Sequence, residues 1–367
     1  MPLFCGRPAS CSTAPCSQGD PRFPANAFSE IEGGDPGGFG KHPDQHLIGP
    51  AWFQIGPPAR QNEELQSVGM PSGSMEMNTQ PPLTQPPDPN TKTPRLKCPK
   101  GAVDCHIHLF GPASKYPFNP GSKYISADAL PETNLKMQDI LGLSTAIIVS
   151  GGGYGADYTH LVHVLERFPD RFRGVALLPE IVTAEEIQRL DRLGVRGARF
   201  VSPRHGGNLP QISPRIASIC AEAGWPIHAY PYGTEILDIS DQLLALPNRI
   251  VLDHFAHIPA AGGVDQPAVK RLFEMLDTGR VWVKLSGPMR CTLEEPPYPS
   301  MTPIARALVA HAPERLLWGS DWPHVNMNNR TMPNDGDLLD LLLEWAPDEG
   351  VRDRILRDNP KEVYRLD

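Results

Sequence analysis

Two histidines one residue apart are the clearest sign of chemistry in this sequence. The stretch VDCHIHLFGP, residues 103–112, carries His106 and His108 in an apolar run that a Gly-Pro pair ends. Such a run predicts a β-strand. Residues i and i+2 of a strand point to the same face, so both imidazoles should face one way and Cys105 the other. The pair could bind a metal ion or a substrate oxygen. Two half-buried structural histidines are the alternative.

Polar side chains also gather where other predicted strands end. In a barrel of parallel strands, the active site is built at the carboxyl ends of the strands. Titratable groups at several strand ends therefore predict one catalytic rim. Its members are His106 and His108 on the first strand, Arg199 on the fourth, His228 and Tyr230 on the fifth, His254 on the sixth, Lys284 and Arg290 on and after the seventh, and Asp321 with His324 at the eighth.

These residues sit in a regular alternation of short apolar strands and helices that begins at residue 99. Strands rich in Val, Ile and Leu without clean alternation are typical of a parallel sheet covered on both faces. Eight strand–helix units in about 260 residues predict an α/β fold, a (β/α)8 TIM barrel; a doubly wound open sheet is the alternative. The strands are AVDCHIHLF, STAIIVS, FRGVALLP, VRGARFV, WPIHAY, RIVLDHF, RVWVKLSG and RLLWGSDW.

The first 98 residues follow a different pattern. They hold 17 of the 42 prolines and show neither a helical nor a strand period. Such a segment buries too little apolar surface to offset its ordering entropy. We predict a disordered Pro/Gly-rich N-terminal extension over 1–98, followed by the barrel over 99–367.

Composition narrows the class of protein. A net charge of −8 argues against a nucleic-acid partner. No apolar stretch approaches the roughly 20 residues of a membrane span, and the N-terminus lacks a signal-peptide pattern. Seven cysteines without a C-x-x-C pair signal neither a disulfide framework nor a cysteine zinc site. We therefore expect a cytoplasmic protein that acts on a small molecule, with neither nucleic acid nor membrane as partner and an oligomeric state that the sequence does not indicate.

Several motifs resemble the amidohydrolase superfamily in its amidohydrolase-2 branch. They are DCHIHLFGP, LDHF and WGSDWPH, and together they are much more specific than H-x-H alone. YPFNPGSKY, GARF, WGSDWPHVN and PNDGDLLDLL are further similar to the 2-pyrone-4,6-dicarboxylate lactonases of that branch. The resemblance runs from about residue 99 to the end of the chain.

The resemblance implies roles for most of the rim. Asp321 would be the general base that activates water, and His254 would polarise the carbonyl under attack or orient the water. The arginines would grip substrate carboxylates, although His257 stands where the lactonases have an arginine. The implied substrate contacts are Tyr124, Arg199, Arg204, Tyr230, His257, Arg290 and His324.

The resemblance leaves two possibilities for a metal. Metal-binding relatives surround one zinc with the H-x-H pair, a strand-five histidine and the strand-eight aspartate. This chain has all four, as His106, His108, His228 and Asp321. Imidazoles and a carboxylate suit Zn²⁺, so we expect a Zn²⁺ site. The lactonases themselves work without a metal and have an apolar residue at the position of His228.

The resulting functional prediction is a hydrolase that opens a small anionic lactone, similar to 2-pyrone-4,6-dicarboxylate or to a sulfomuconolactone, by attack of an activated water. Several arginines aimed at peripheral anionic groups favour this activity. The alternatives are a metal-dependent decarboxylase or an amide hydrolase of the same branch, and a non-catalytic binding protein on a barrel scaffold.

Overall fold

The computed structural model describes residues 81–207, 209, 211–327 and 329–366. Its sheet has eight parallel strands in the order β1 to β8, each paired with the next. Backbone hydrogen bonds between Asp321 and His106 and between His108 and Trp322 join the two edges. The predicted (β/α)8 barrel is therefore confirmed. The strands are β1 Val103–Ile107, β2 Thr145–Val149, β3 Phe172–Ala176, β4 Val195–Val201, β5 Ile227–Tyr230, β6 Ile250–Leu252, β7 Val281–Ser286 and β8 Leu316–Gly319.

Helices connect the strands and cover the outside of the barrel. Proline begins several of them, where its missing N–H costs nothing, and the Thr183 side chain caps α3 by accepting from Glu186 N. The helices are α1 Pro131–Leu141, α2 Thr159–Arg167, α3 Ala184–Arg192, α4 Pro214–Glu222, α5 Ile236–Ala245, α6 Pro267–Asp277, α7 Thr302–His311, α8 Asp335–Trp345, α9 Glu349–Asp353 and α10 Asn359–Tyr364, with a π-helical turn at Arg354–Asp358 and short 3-10 turns at Pro203–His205, His254–His257, Ala260–Gly262, Pro288–Arg290, Pro299–Met301 and Pro313–Arg315.

Part of the barrel interior is filled by apolar side chains, which we call the apolar layer. Tyr364 from α10 closes this layer at the end of the chain. Because all of its members are buried and packed on one another, the layer stabilises the closed sheet. It consists of Val103, Cys105, Ile147, Val149, Val175, Val251, Trp282, Leu317, Val363 and Tyr364.

Strand β1 departs from the regular alternation. Its register against β2 shifts between Asp104 and Ile107, and Asp104 Oδ1 accepts from the backbone N of His106. Val103 and Cys105 alternate into the apolar layer, and the irregularity lets His106 face the interior as well, so the prediction that Cys105 points away from the histidines was wrong. A Cβ on Gly319 would lie 2.8 Å from the Cβ of His106, so β8 needs glycine at this crossing.

The segment before β1 is partly described. Residues 81–98 run along the barrel, where Thr84 N donates to Ile125 O and Leu96 N donates to Asp340 Oδ1 on α8. This stretch is therefore attached to the folded body. The disorder predicted for residues 1–80 lies outside the described residues and stays a prediction. No helix in the described part of the chain is both long enough and apolar enough to cross a membrane.

The turn that follows β6 has an unusual backbone. His254, Phe255, Ala256 and His257 all adopt left-handed conformations, with φ between 51° and 56°. For residues with a Cβ, this conformation costs roughly 1–2 kcal/mol each. Burial of Phe255 and Ala256 in the surrounding core holds the turn in place. Asp321, after β8, is also left-handed, with φ of 69°. Strained backbone thus concentrates where β6 and β8 end.

Candidate active site

A cavity of about 510 Å³ opens at the carboxyl ends of the strands. Nine of the side chains that were predicted for the rim or for substrate contact line it, whereas His106, His228, Lys284 and His324 do not. The nine are His108, Tyr124, Arg199, Arg204, Tyr230, His254, His257, Arg290 and Asp321. A second cavity, of about 710 Å³, lies beside α8, and its described lining holds no histidine. The chemistry is therefore concentrated in the barrel mouth.

Asp321 lies on the floor of this cavity and its two oxygens have different surroundings. Oδ2 accepts from Nε of Arg290 at 2.9 Å and lies 2.8 Å from Nη2 of the same side chain. Burial alone would raise the pKa of Asp321, but the charge of Arg290 and the neighbouring imidazoles hold it well below its ordinary value. Asp321 is therefore ionised. Its Oδ1 faces three imidazole Nε2 atoms, those of His254 at 3.5 Å, His108 at 3.7 Å and His106 at 3.9 Å.

The partner of His108 determines which of its nitrogens carries the proton. Nδ1 lies 2.7 Å from the backbone oxygen of Val149, which can only accept, so Nδ1 is the donor. Burial lowers the pKa of His108 to about 4, so the ring is neutral at pH 7 and its Nε2 carries a lone pair. Nε2 and Asp321 Oδ1 are then two acceptors side by side. Such a pair suits a water molecule that donates one hydrogen to each.

His254 faces the same carboxylate from β6. Its Nδ1 lies 2.9 Å from the hydroxyl of Ser286, and burial lowers its pKa to about 3. The left-handed turn after β6 directs both His254 and His257 into the cavity. A neutral imidazole at this point can orient water or a carbonyl oxygen without adding charge.

A buried ionic network lies deeper in the barrel, centred on Asp253. Its Oδ2 accepts from Nε of Arg199 at 3.0 Å, and its Oδ1 lies 2.9 Å from Nζ of Lys284. Burial would raise the pKa of Asp253, but Lys284, His106 and Arg199 hold it well below its ordinary value. The sequence analysis did not assign Asp253 to the site. Its spacing of two from Val251, an inward residue, was the signal that could have shown its direction.

Three of the imidazole and carboxylate groups could hold a metal ion by distance. Ligand atoms of His106, His254 and Asp321 all lie within 4.8 Å of one another. The predicted ligand His228 is not in this group. Its Nδ1 lies 3.2 Å from Nζ of Lys284, and a Cβ on Gly197 would lie 3.4 Å from its Nε2. Of the predicted ligands His106, His108, His228 and Asp321, the group therefore holds only His106 and Asp321, with His254 as its third member.

The charges around the three-residue group do not favour a divalent cation. In the described network, three basic groups, Arg199, Lys284 and Arg290, face two carboxylates, Asp253 and Asp321. Burial lowers the pKa of Lys284, and the adjacent Asp253 opposes that shift. Since the neighbouring imidazoles are neutral, an added M²⁺ would be repelled by an excess of positive charge in a buried site. The distances allow a metal ion, whereas the electrostatics of the site oppose it.

The rest of the predicted substrate contacts fall into two places. At the mouth, Tyr230 stacks on His205 at 4.6 Å between ring centroids, and His257 stacks on Tyr232 at 5.0 Å. His205 was missed by the sequence analysis. His324 does not line the cavity: it is buried, and its Nε2 lies 3.0 Å from Asp335 Oδ1 at the start of α8. The expected substrate contact of His324 is therefore corrected to a link between β8 and α8.

Comparison with known proteins agrees with this arrangement. The family model described as amidohydrolase matches residues 103–366. The chain belongs to the amidohydrolase family. The 4-sulfomuconolactone hydrolase of Hydrogenophaga intermedia is 35% identical over 274 residues, which cover 74% of this chain and 90% of that protein. The 2-pyrone-4,6-dicarboxylate hydrolase of Comamonas testosteroni is 33% identical over 289 residues, which cover 75% and 93%.

Solved structures show the same architecture. The apo structure of ATU3138 from Agrobacterium tumefaciens superposes with a TM-score of 0.67 at 28% identity. The match covers 75% of this chain and 99% of that protein. The described barrel thus corresponds to nearly the whole of its structural relative.

Proposed function

We propose that this amidohydrolase hydrolyses a small lactone that carries carboxylate or sulfonate groups. One observation carries the proposal: the ionised Asp321 presents Oδ1 to three imidazoles on the floor of a cavity that cations surround. A carboxylate base, neutral imidazoles and guanidinium groups are what water attack on an anionic ester requires. The relatives named as sulfomuconolactone and pyrone-dicarboxylate hydrolases support the same chemistry.

The hydrolytic step uses the pair of acceptors on the cavity floor. Asp321 Oδ1 and His108 Nε2 hold the attacking water, and Asp321 takes one of its protons as the oxygen bonds to the lactone carbonyl carbon. The carbonyl oxygen becomes negative, and His254 and the Arg290 guanidinium lie beside it. Collapse of the tetrahedral intermediate breaks the ring C–O bond. The ring oxygen leaves as an alkoxide or enolate and receives the proton, which gives the opened acid.

Recognition of the anionic groups falls to the walls of the cavity. Arg199 uses Nε on Asp253 and Nη1 on the carbonyl of Ser150, and Arg290 uses Nε on Asp321 and Nη1 on Val325. A guanidinium has five N–H donors, so each arginine keeps donors for a substrate oxygen. Arg204 is mostly exposed at the mouth, where its Nε lies 3.8 Å from Oε1 of Glu235, and its N–H groups can reach a substrate anion there.

Zn²⁺ is the alternative that the distances favour. It would be held by His106, His254 and Asp321, and it would supply Lewis-acid polarisation and an ionised water. We propose the metal-free route because of the positive charge already present. Metal analysis of the purified protein decides between them: we expect far less than one ion per chain and activity that survives chelation. One ion per chain, with activity lost on chelation, would establish the zinc alternative.

The activity itself is tested on a panel of lactones. It includes a dicarboxylated pyrone, a sulfonated muconolactone and a neutral lactone of similar size, each followed by the absorbance change on ring opening. We expect the anionic lactones to open to products that have gained one water. A carboxylated phenol and an amide in the same panel test the decarboxylase and amide hydrolase alternatives. Folded protein that opens no lactone, or that returns an isomer of unchanged mass, would disprove the proposal.

We further propose that the protein is located in the cytoplasm, which suits the free thiols of Cys98, Cys105, Cys220 and Cys291.

A further inference from the structure

Lys284 is a buried lysine on β7 that takes no part in the hydrolytic steps proposed above. Its side chain is inaccessible to solvent, and Nζ lies 3.1 Å from Nδ1 of His106 and 3.2 Å from Nδ1 of His228. Nζ also lies 2.9 Å from Asp253 Oδ1. One side chain of β7 therefore contacts groups from β1, β5 and the end of β6.

The contacts of Lys284 determine the tautomer of His106. Burial lowers the pKa of Lys284, whereas the Asp253 carboxylate 2.9 Å away opposes that shift and favours the ammonium form. An ammonium group has only donors, so Nδ1 of His106 accepts and the ring proton lies on Nε2. Asp253 Oδ1 also approaches Nδ1, at 3.3 Å, but this contact lacks hydrogen-bond alignment. The geometry therefore selects the Nε2–H form of His106.

His106 and His108 then have opposite hydrogen-bonding roles at the floor of the cavity. In the described part of the chain, Nε2 of His106 is buried and has no hydrogen-bond partner. It lies beside Asp321 and the His254 ring. His108 has its proton on Nδ1 and an acceptor at Nε2. The H-x-H pair thus presents one donor and one acceptor to the cavity floor.

We propose that Lys284 is a positioning residue that holds His106 as a hydrogen-bond donor to the lactone carbonyl oxygen. A buried donor without a partner is satisfied when that oxygen arrives, and it binds more strongly as the oxygen becomes negative in the transition state. This role rests on the proposed lactone hydrolysis. In this role His106 is not a metal ligand through Nε2, because a protonated Nε2 has no lone pair to donate to an ion.

The first test reads the tautomers directly, without substrate. In protein labelled with ¹⁵N-histidine, two-bond ¹⁵N–¹H correlations distinguish a protonated from a bare ring nitrogen. We expect wild-type His106 to be protonated at Nε2 and His108 at Nδ1. In Lys284→Met, Asp253 is the acceptor left beside His106 Nδ1, so the proton should move to Nδ1. A wild-type His106 protonated at Nδ1 overturns the inference, and so does an Nε2 bound to a metal ion.

The second test measures kcat and KM in Lys284→Met and asks whether a second substitution restores kcat. Lys284→Met should lower kcat by about 10² or more while KM changes by less than about threefold, since a donor to the transition state is lost. Adding Asp253→Asn should restore part of kcat. Arg199 donates to the position of Oδ2, so the amide oxygen takes that place and the amide NH₂ faces His106 Nδ1 as a new donor.

Asp253 keeps Arg199 as its partner in Lys284→Met, so the single variant is expected to fold, and urea unfolding of both variants checks this. Trp282→Phe, two residues earlier on β7 in the apolar layer, is the matched control and should alter neither tautomer nor kcat. Full kcat in folded Lys284→Met, or a double variant no faster than Lys284→Met, overturns the role. If wild type opens no lactone but shows the expected tautomers, the proposed function fails and the assignment of Lys284 to the tautomer stands.

Discussion

Two regions of one barrel interior are built by the same strands and differ completely in chemistry. β6 contributes Val251 to the apolar layer, and Asp253, two residues after Val251, belongs to the ionic network. β7 contributes Trp282 to the apolar layer and Lys284, two residues later, to the ionic network. The apolar layer is stabilised by burial alone, and any well-packed hydrophobic neighbour serves. The charged residues are stabilised only by particular partners at particular distances, because burying an unpaired charge is costly.

This contrast separates stability from catalysis along each strand. A buried ion pair is weak evidence for stability, since apolar residues of similar volume often serve the fold as well. The network of Asp253, Lys284 and Arg199 is therefore better explained by the imidazole that it orients, His106. If so, substitutions in the two regions should affect different measurements.

The largest expected effect is at Asp321. Asp321→Asn keeps the shape of the side chain but removes the base, so kcat should fall by about 10²–10⁴. The unfolding midpoint should change little, because Arg290 can still donate to the amide oxygen. Turnover is measured on the anionic lactone, with urea unfolding in parallel. Near-normal turnover would contradict the role of Asp321.

Leu317, four residues earlier and in the apolar layer, should show the opposite behaviour. Leu317→Ala removes a fully buried side chain, so the free energy of unfolding should fall by about 2–5 kcal/mol. Below the unfolding transition, kcat should stay within about twofold of wild type. A loss of kcat in the folded variant as large as that of Asp321→Asn would show that the two regions are not separable.

The sequence was sufficient for the architecture because each strand carries its own signal. Runs such as STAIIVS and RIVLDHF are bounded by turns and helix ends, and the structure places β2 and β6 within them. The positions of the rim residues could be predicted from the same alternation of strands and helices, since the active site of a (β/α)8 barrel lies at the carboxyl ends of its strands. Asp321 and His254 therefore reached the cavity as predicted.

Partners across the barrel could not be predicted in this way. Lys284 reaches His106 and His228 only after eight strands have closed. That Cys105 and His106 both face the interior depends on an irregular register that no composition rule reveals. His324 shares the WGSDWPH motif with Asp321, yet the left-handed turn after β8 directs it to Asp335.

A smaller effect is expected at the mouth, where charge is exposed. Arg204→Met should raise KM for an anionic lactone by about tenfold and leave kcat nearly unchanged, since its side chain is 68% exposed and remote from the reacting bond. A neutral lactone of similar size is the control and should be little affected. Equal losses on both substrates would indicate that Arg204 supports the loop rather than the substrate.

The smallest effect is expected from moderate acid. Burial lowers the pKa of His108 to about 4 from an ordinary value of 6.5, so the folded enzyme keeps its neutral imidazole well below pH 6.5. kcat should stay flat between pH 8 and about pH 5 and fall near pH 4. The unfolded chain does take up the proton below pH 6.5, so this group's contribution to stability is lost as the pH falls from 6.5 to 4. A kcat that titrates near 6.5 would contradict the buried, neutral His108.

The left-handed turn after β6 also matters to anyone who engineers this protein. Ala256 is buried between His254 and His257, and its methyl group is held in a conformation that glycine adopts without penalty. Ala256→Gly relieves that strain but frees the chain in the unfolded state and removes a packed methyl, so the two effects on stability nearly cancel. The loss of rigidity in the turn has no opposing effect: a glycine at position 256 lets the imidazoles of His254 and His257 change position more freely. Position 256 is therefore a place where thermal screening would detect nothing, while substrate screening would detect a broader and slower enzyme.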